Sequence, residues 1–166
     1  MLRKSTLVFI VLAGLLAGAV GTAFGTSSST LTVETARGPL VDRPLDVNMK
    51  FADGSDVKLK TKGPIEVVVQ RIVAEPGETF GWHSHPGPTI VTVFSGTLTL
   101  NHAEDCTEGI AYTAGESFSN LPHEIHLARN LGSVDLVIYA SYFVPVTTPP
   151  VALRIDQPSP GAECPL

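Results

Sequence analysis

Positive charge is scarce in this chain. Its 166 residues carry 11 Lys and Arg against 16 Asp and Glu, and two of the basic residues, Arg3 and Lys4, stand in a leader. Past the leader nine basic side chains face 16 acidic ones, a formal charge of about −7. A phosphate backbone finds little to hold it there, which excludes a nucleic-acid partner. The acids are scattered rather than clustered, so they read as a solubilising surface. Helical patterning is missing as well: after residue 24 no apolar series at i, i+3, i+4 and i+7 runs for three turns, which excludes a helical domain. No segment repeats at solenoid or propeller period. No nucleophile and base pair up in a motif that would announce covalent catalysis. The roughly 140 residues beyond the leader are one domain's worth and leave no room for a second.

Cysteine is limited to Cys106 and Cys164. Neither follows the apolar run at the start, so no lipid-anchor site is offered there. That run, Leu7 to Phe24, is 18 uncharged residues preceded by Arg3 and Lys4, the layout of an export signal. It reaches the lower limit of a spanning helix of about 20 residues. Gly14, Gly18 and Gly21 would weaken a permanent helix, and Ala23 and Gly25 fit a processing site before Thr26. Residues 1–25 are therefore read as a cleaved signal peptide, with a retained membrane anchor as the alternative. Under the positive-inside rule both place the remaining chain outside the cytoplasm, with membrane contact only through this segment if it is uncleaved. In that oxidising setting one disulfide between the two cysteines is expected, tying the tail to the middle of the domain.

Residues 26–44 are rich in Ser and Thr and broken by Gly38, Pro39 and Pro44, a linker and irregular arm, with order expected from Leu45. Two alternating runs, Leu45–Phe51 and Val57–Thr61, flank Asp53-Gly54 and predict a hairpin. Ile65–Val73 is a long strand whose near-continuous Val and Ile suggest burial on more than one side. Shorter strands follow at Thr89–Ser95, Thr97–His102, Ile110–Thr113, Glu116–Ser119, Glu124–Asn130 and Val134–Val144, with Gly or Pro at most joints. Residues 45–145 thus form a single all-β domain, a sandwich or barrel. Residues 146–166 are a Pro-rich tail laid over the surface.

Five histidines occur. His83 and His85, two apart on a strand, share a face. Such a pair can offer two imidazoles to one ion at about 2.0 to 2.1 Å but needs further ligands. Around it runs Gly77-Glu-Thr-Phe-Gly-Trp-His83-Ser-His85-Pro-Gly-Pro-Thr89, then Ile90 to Gly96. Further on stand Tyr112-Thr-Ala-Gly115 and Leu121-Pro-His-Glu-Ile-His126-Leu-Ala-Arg-Asn130.

These two blocks resemble the paired motifs of the cupin superfamily: Gly, five residues, His-x-His, three or four residues, Glu, six residues, Gly, then Pro-x-Gly and His-x-x-x-Asn. Gly77, His83, His85, Gly96, Gly115, His126 and Asn130 match. The resemblance implies a small, single-domain double-sheet barrel, a jelly roll, holding a divalent metal with His83, His85 and His126 as ligands. Two positions depart from the pattern: the motif's Pro is Thr113, a turn detail, and its Glu is Thr89. Loss of that carboxylate leaves three neutral imidazoles, which suit Zn, Fe(II), Ni or Cu better than oxygen-seeking Mn and also admit a metal-free form. The implied function is to present the metal to a small polar or anionic molecule, as an oxygenase, isomerase or lyase. Its alternatives are a non-catalytic ligand- or metal-binding module and a structural, oligomerising domain; cupins commonly pair into homodimers.

The register assigns the remaining candidates. Glu124 shares the face of His126 but lies about 7 Å along at ~3.4 Å per residue, too far to ligate. His123 falls in a loop and His102 toward solvent. Trp82, Phe80 and Arg129 point away from the site. Tyr139 and Tyr142 take opposite faces, so at most one lines the pocket. Imidazoles of ordinary pKa, about 6.5, would lose the metal as pH falls through that value.

Overall fold

The computed structural model describes residues 27–28, 30–40 and 44–166, so the leader lies outside the described residues. Among those described, no helix is long and apolar enough to cross a membrane. The described residues form β-strands only: β1 (Thr32–Pro39), β2 (Asp46–Lys50), β3 (Asp56–Lys60), β4 (Ile65–Ala74), β5 (His83–Ser84), β6 (Thr89–Ser95), β7 (Thr97–His102), β8 (Asp105–Thr113), β9 (Ser117–Asn120), β10 (His126–Arg129), β11 (Leu136–Pro145) and β12 (Ile155–Asp156).

Two five-stranded sheets, ordered β1-β4-β11-β6-β9 and β12-β5-β10-β7-β8, enclose the core, and every pairing is antiparallel. Period-2 alternation builds it. Along β6, Thr89, Val91 and Val93 are buried and the residues between them are exposed, so the inner row meets Val68, Ile72, Leu98, Leu100, Ile138 and Ala140. On β4 the inner Glu66, Val68, Ile72 and Ala74 are buried, while the outer Val69 is exposed and Val67 and Val73 are half-buried. The expected burial on several sides reduces to partial cover of the outer row.

The joints explain the motif residues that touch no ligand. Gly96 turns β6 into β7 at φ 79°, and a Cβ there would meet the Asp135 carbonyl oxygen at 2.7 Å, so both backbone angle and space require glycine. Asn130 is fully buried: its Nδ2 donates to the carbonyls of Ala74 (2.9 Å) and Val134 (2.8 Å), and its Oδ1 accepts from the Gly132 N–H. It knots the end of β10 to the end of β4 and to the loop that leads into β11, two neighbouring strands of the opposite sheet.

The hairpin of β2 and β3 forms as expected, in register from Asp46↔Lys60 to Lys50↔Asp56, and stands exposed beside the barrel. Two segments differ from the sequence reading. Residues 26–44 were expected to be irregular, with order from Leu45; instead β1 pairs with β4 over eight residues. Its prolines and glycine lie at the strand's end, where they interrupt nothing, while Leu31-Thr-Val-Glu-Thr35 alternates as a strand should. The tail, 146–166, is not merely laid on the surface. Its β12 adds to the second sheet beside β5, and Cys164 is bonded to Cys106 at the start of β8, with Cα atoms 5.2 Å apart. A second apolar cluster of Trp82, Leu127 and the two cysteines forms there, and the Trp82 Nε1–H donates to the Pro165 carbonyl at 2.7 Å.

Candidate metal centre

His83 and His126 are direct cross-strand partners on β5 and β10, so both rings rise from one face; His85 follows two residues on. Ring centroids stand 4.4 Å apart for His83 and His126, 4.9 Å for His83 and His85, and 5.0 Å for His85 and His126. One ring nitrogen from each lies within 4.8 Å of the others. All three rings are at most 5% exposed.

Each ring is oriented by a backbone carbonyl. His83 Nδ1 is 2.7 Å from Gly81 O, His85 Nδ1 is 2.7 Å from Leu153 O, and His126 Nδ1 is 2.9 Å from Glu124 O. A carbonyl only accepts, so each Nδ1 carries the hydrogen and each Nε2 keeps its lone pair. Three lone pairs of one tautomer therefore meet inside the barrel, the arrangement in which imidazoles bind a transition metal. Burial pushes the His83 and His85 pKa down, with His126 and Arg154 adding to the effect on His83, and burial brings His126 down to about 3. The rings are neutral at pH 7, and protons compete for Nε2 only below the pH expected of an ordinary imidazole. Among the described residues no carboxylate joins the cluster, so this donor set fits a transition metal that accepts nitrogen and disfavours a hard oxygen-seeking ion.

A small cavity of about 30 Å³ is lined by these rings together with Phe80, Asn120 and Tyr142. Above it a cavity of about 640 Å³ opens outward, walled by Arg37 of β1, Gln70 of β4, Tyr142 of β11 and Arg154 of the tail. The Arg154 Nε donates to Asp156 Oδ1 at 2.6 Å, while its Nη2 is buried without a partner. Arg37 donates to Glu66 and to the Val151 carbonyl. The Tyr142 hydroxyl donates to Gln70 Oε1 at 3.0 Å, and burial raises its pKa to about 12, so it remains a neutral donor.

Of the two tyrosines, Tyr142 is the one inside, with its ring 5.2 Å from His85, and Tyr139 is exposed. Thr89 is 1% exposed and its Oγ1 has no hydrogen-bond partner. Glu124 stays out of the cluster: its Oε2 accepts from the Leu121 N–H at 2.7 Å and its Oε1 lies 2.9 Å from His102 Nδ1, so His102 is half-buried rather than solvated. His123 sits in a loop at φ 63°. Arg129 is outward but half-buried, donating to Asn101 Oδ1 at 3.0 Å, and burial lowers its pKa. Trp82 points away, as its parity requires. Phe80 does not: it lines both cavities, because Gly81 at φ 66° breaks the alternation that would have kept Phe80 and Trp82 on one face. Sequence reasoning missed Asn120, Arg37 and Arg154. The alternation of Val151, Leu153 and Ile155 was the available sign that the tail is ordered.

The model of the cupin domain family matches residues 70–142, the stretch that carries all three histidines. Residues 70–142 are a cupin domain. Among solved structures similar to this cupin, a double-stranded β-helix protein from Klebsiella pneumoniae is 22% identical, with 70% of this chain and 85% of that one covered and a TM-score of 0.44. Oxalate oxidase is 23% identical, with 50% and 53% covered and a TM-score of 0.42. A predicted oxalate decarboxylase from Thermotoga maritima is 21% identical, with 51% and 84% covered and a TM-score of 0.41. The chain spans about half the length of that oxalate oxidase. No curated protein matches the chain.

Proposed function

We propose that this cupin is an exported protein that binds one divalent transition metal through His83, His85 and His126 and presents it to a small anionic molecule. The observation that carries the reading is the set of three Nδ1-to-carbonyl contacts, which leave three Nε2 lone pairs in one buried place. A divalent ion held there would supply a Lewis-acid or oxygen-activating centre. Anionic character is supported by the upper cavity, where Arg37 and the free Nη2 of Arg154 stand over neutral imidazoles. Tyr142 and Gln70, bonded to each other through the Tyr142 hydroxyl, put polar atoms on the cavity wall, and Phe80 and Leu153 add apolar surface beside them.

The test is elemental analysis of the untagged protein, reconstituted with zinc, beside a His83→Ala, His85→Ala double variant. One metal per chain, absent from the variant, supports the reading. Metal in neither, with equal melting temperatures, overturns it. Thr89 favours a second reading, a non-catalytic module, since without the motif's carboxylate the protein provides no charge compensation to a divalent ion. Failure of the metal-loaded protein to turn over small carboxylates while still binding them would support that reading.

Export accords with the leader and with the disulfide, which belongs to an oxidising compartment. The outer face of β6, β11 and β4 leaves Ile90, Phe94, Tyr139 and Val69 exposed, with the Phe94 and Tyr139 rings edge to face at 5.9 Å. A second copy packing on that face accounts for its apolar character.

A further inference from the structure

We propose that Asn120 is the fourth protein ligand of the metal site, placing a neutral amide oxygen where the cupin pattern has a carboxylate; the proposal rests on the three-histidine reading. Asn120 closes β9 and is the cross-strand partner of Thr89, the position that has lost the motif's Glu. Its side chain is 2% exposed and lines the same small cavity as the three rings.

Its amide lies 3.3 Å, at Nδ2, from His126 Nε2. Two donors that share one ion at about 2.0 to 2.1 Å in a tetrahedral shell stand roughly 3.3 Å apart, so the amide already sits at ligand spacing from a ligand atom. The present hydrogen bond and a bound metal are mutually exclusive, because both use the one Nε2 lone pair. Meanwhile Asn120 Oδ1 is buried and has no hydrogen-bond partner. A half-turn of the amide exchanges nitrogen and oxygen without altering the packing, since the two ends have nearly the same shape. That single rotation releases the His126 lone pair, brings an acceptor into the shell and gives the orphaned oxygen a partner. Thr89 carries an orphaned Oγ1 too, but the small cavity is walled by Asn120.

Cobalt(II) is the probe, titrated into the full chain, Asn120→Ala and Asn120→Asp, with affinity read by chelator competition and coordination read from the visible absorption of the bound ion. Loss of the oxygen in Asn120→Ala is expected to weaken binding ~10-fold or more and to change the absorption intensity and pattern, which a residue acting only through His126 would leave in place. Asn120→Asp keeps the shape, adds a negative charge and is expected to retain the absorption pattern and bind ~10-fold or more tighter. Equal affinity and identical spectra in all three proteins would overturn the fourth ligand and leave the three-histidine site standing. Absence of cobalt from the unmutated chain would overturn both. If the Ala variant does not fold, the Asp variant decides alone: binding no tighter than that of the unmutated chain overturns the proposal.

Discussion

The neutrality of His83, His85 and His126 is a property of where they stand, and it sets how the protein responds to acid. Their folded pKa values lie below the ordinary 6.5, His126 at about 3, so under acid the unfolded chain binds protons that the folded chain refuses. Stability of the metal-free protein is therefore full above pH 6.5 and falls as pH drops below it, by up to about 1.4 kcal/mol per pH unit for each imidazole. Urea titrations between pH 7 and 4.5 should show this slope, and a His83→Gln, His126→Gln variant should flatten it; equal slopes would contradict the assignment of buried neutral rings. The His-x-His pair and its partner His126 were legible in the sequence because a strand has period 2 and the motif spacing is specific. Phe80 was not, because a single positive φ at Gly81 reverses parity locally, and a glycine does not announce which of its allowed conformations it takes.

At the scale of elements, the barrel strands were readable wherever Gly or Pro punctuates alternating β-branched runs: β6 and β7 fall on Thr89–Ser95 and Thr97–His102, as the patterning requires. The two segments misread, β1 and the tail, share a cause. Each draws its order from a long-range partner: β1 from β4, the tail from β5 and Cys106, and composition alone does not report such partners. The tail is then part of the site, since its Leu153 carbonyl sets the tautomer of His85 and its Arg154 stands at the mouth. Replacing both cysteines with Ser should cost on the order of 4 kcal/mol by the chain-entropy estimate for a loop of this length, seen as a lower denaturation midpoint. Zinc affinity should fall with it, because a loosened Leu153 no longer holds His85. Unchanged affinity in a folded Cys106→Ser, Cys164→Ser protein would show that the tail does not orient the ring.

For the whole molecule, one face and one end carry separate duties. The mouth of the barrel gathers Arg37, Arg154 and the imidazoles within a chain that is otherwise acidic, and the anion of the proposed function would enter there, against the unpartnered Arg154 Nη2. The outer face of the first sheet carries an apolar patch of Ile90, Phe94, Tyr139 and Val69, and light scattering of the purified protein should give twice the chain mass, reverting to a monomer in Phe94→Asp with zinc binding intact; a monomeric unmutated protein would remove the homodimer. Everything functional rests on the three rings sharing one ion. X-ray absorption of the zinc-loaded protein tests this most directly. The expected result is a nitrogen and oxygen shell at about 2.0 to 2.1 Å whose outer scattering fits three imidazoles. A sulfur shell near ~2.3 Å, or a fit with one imidazole or none, would contradict it.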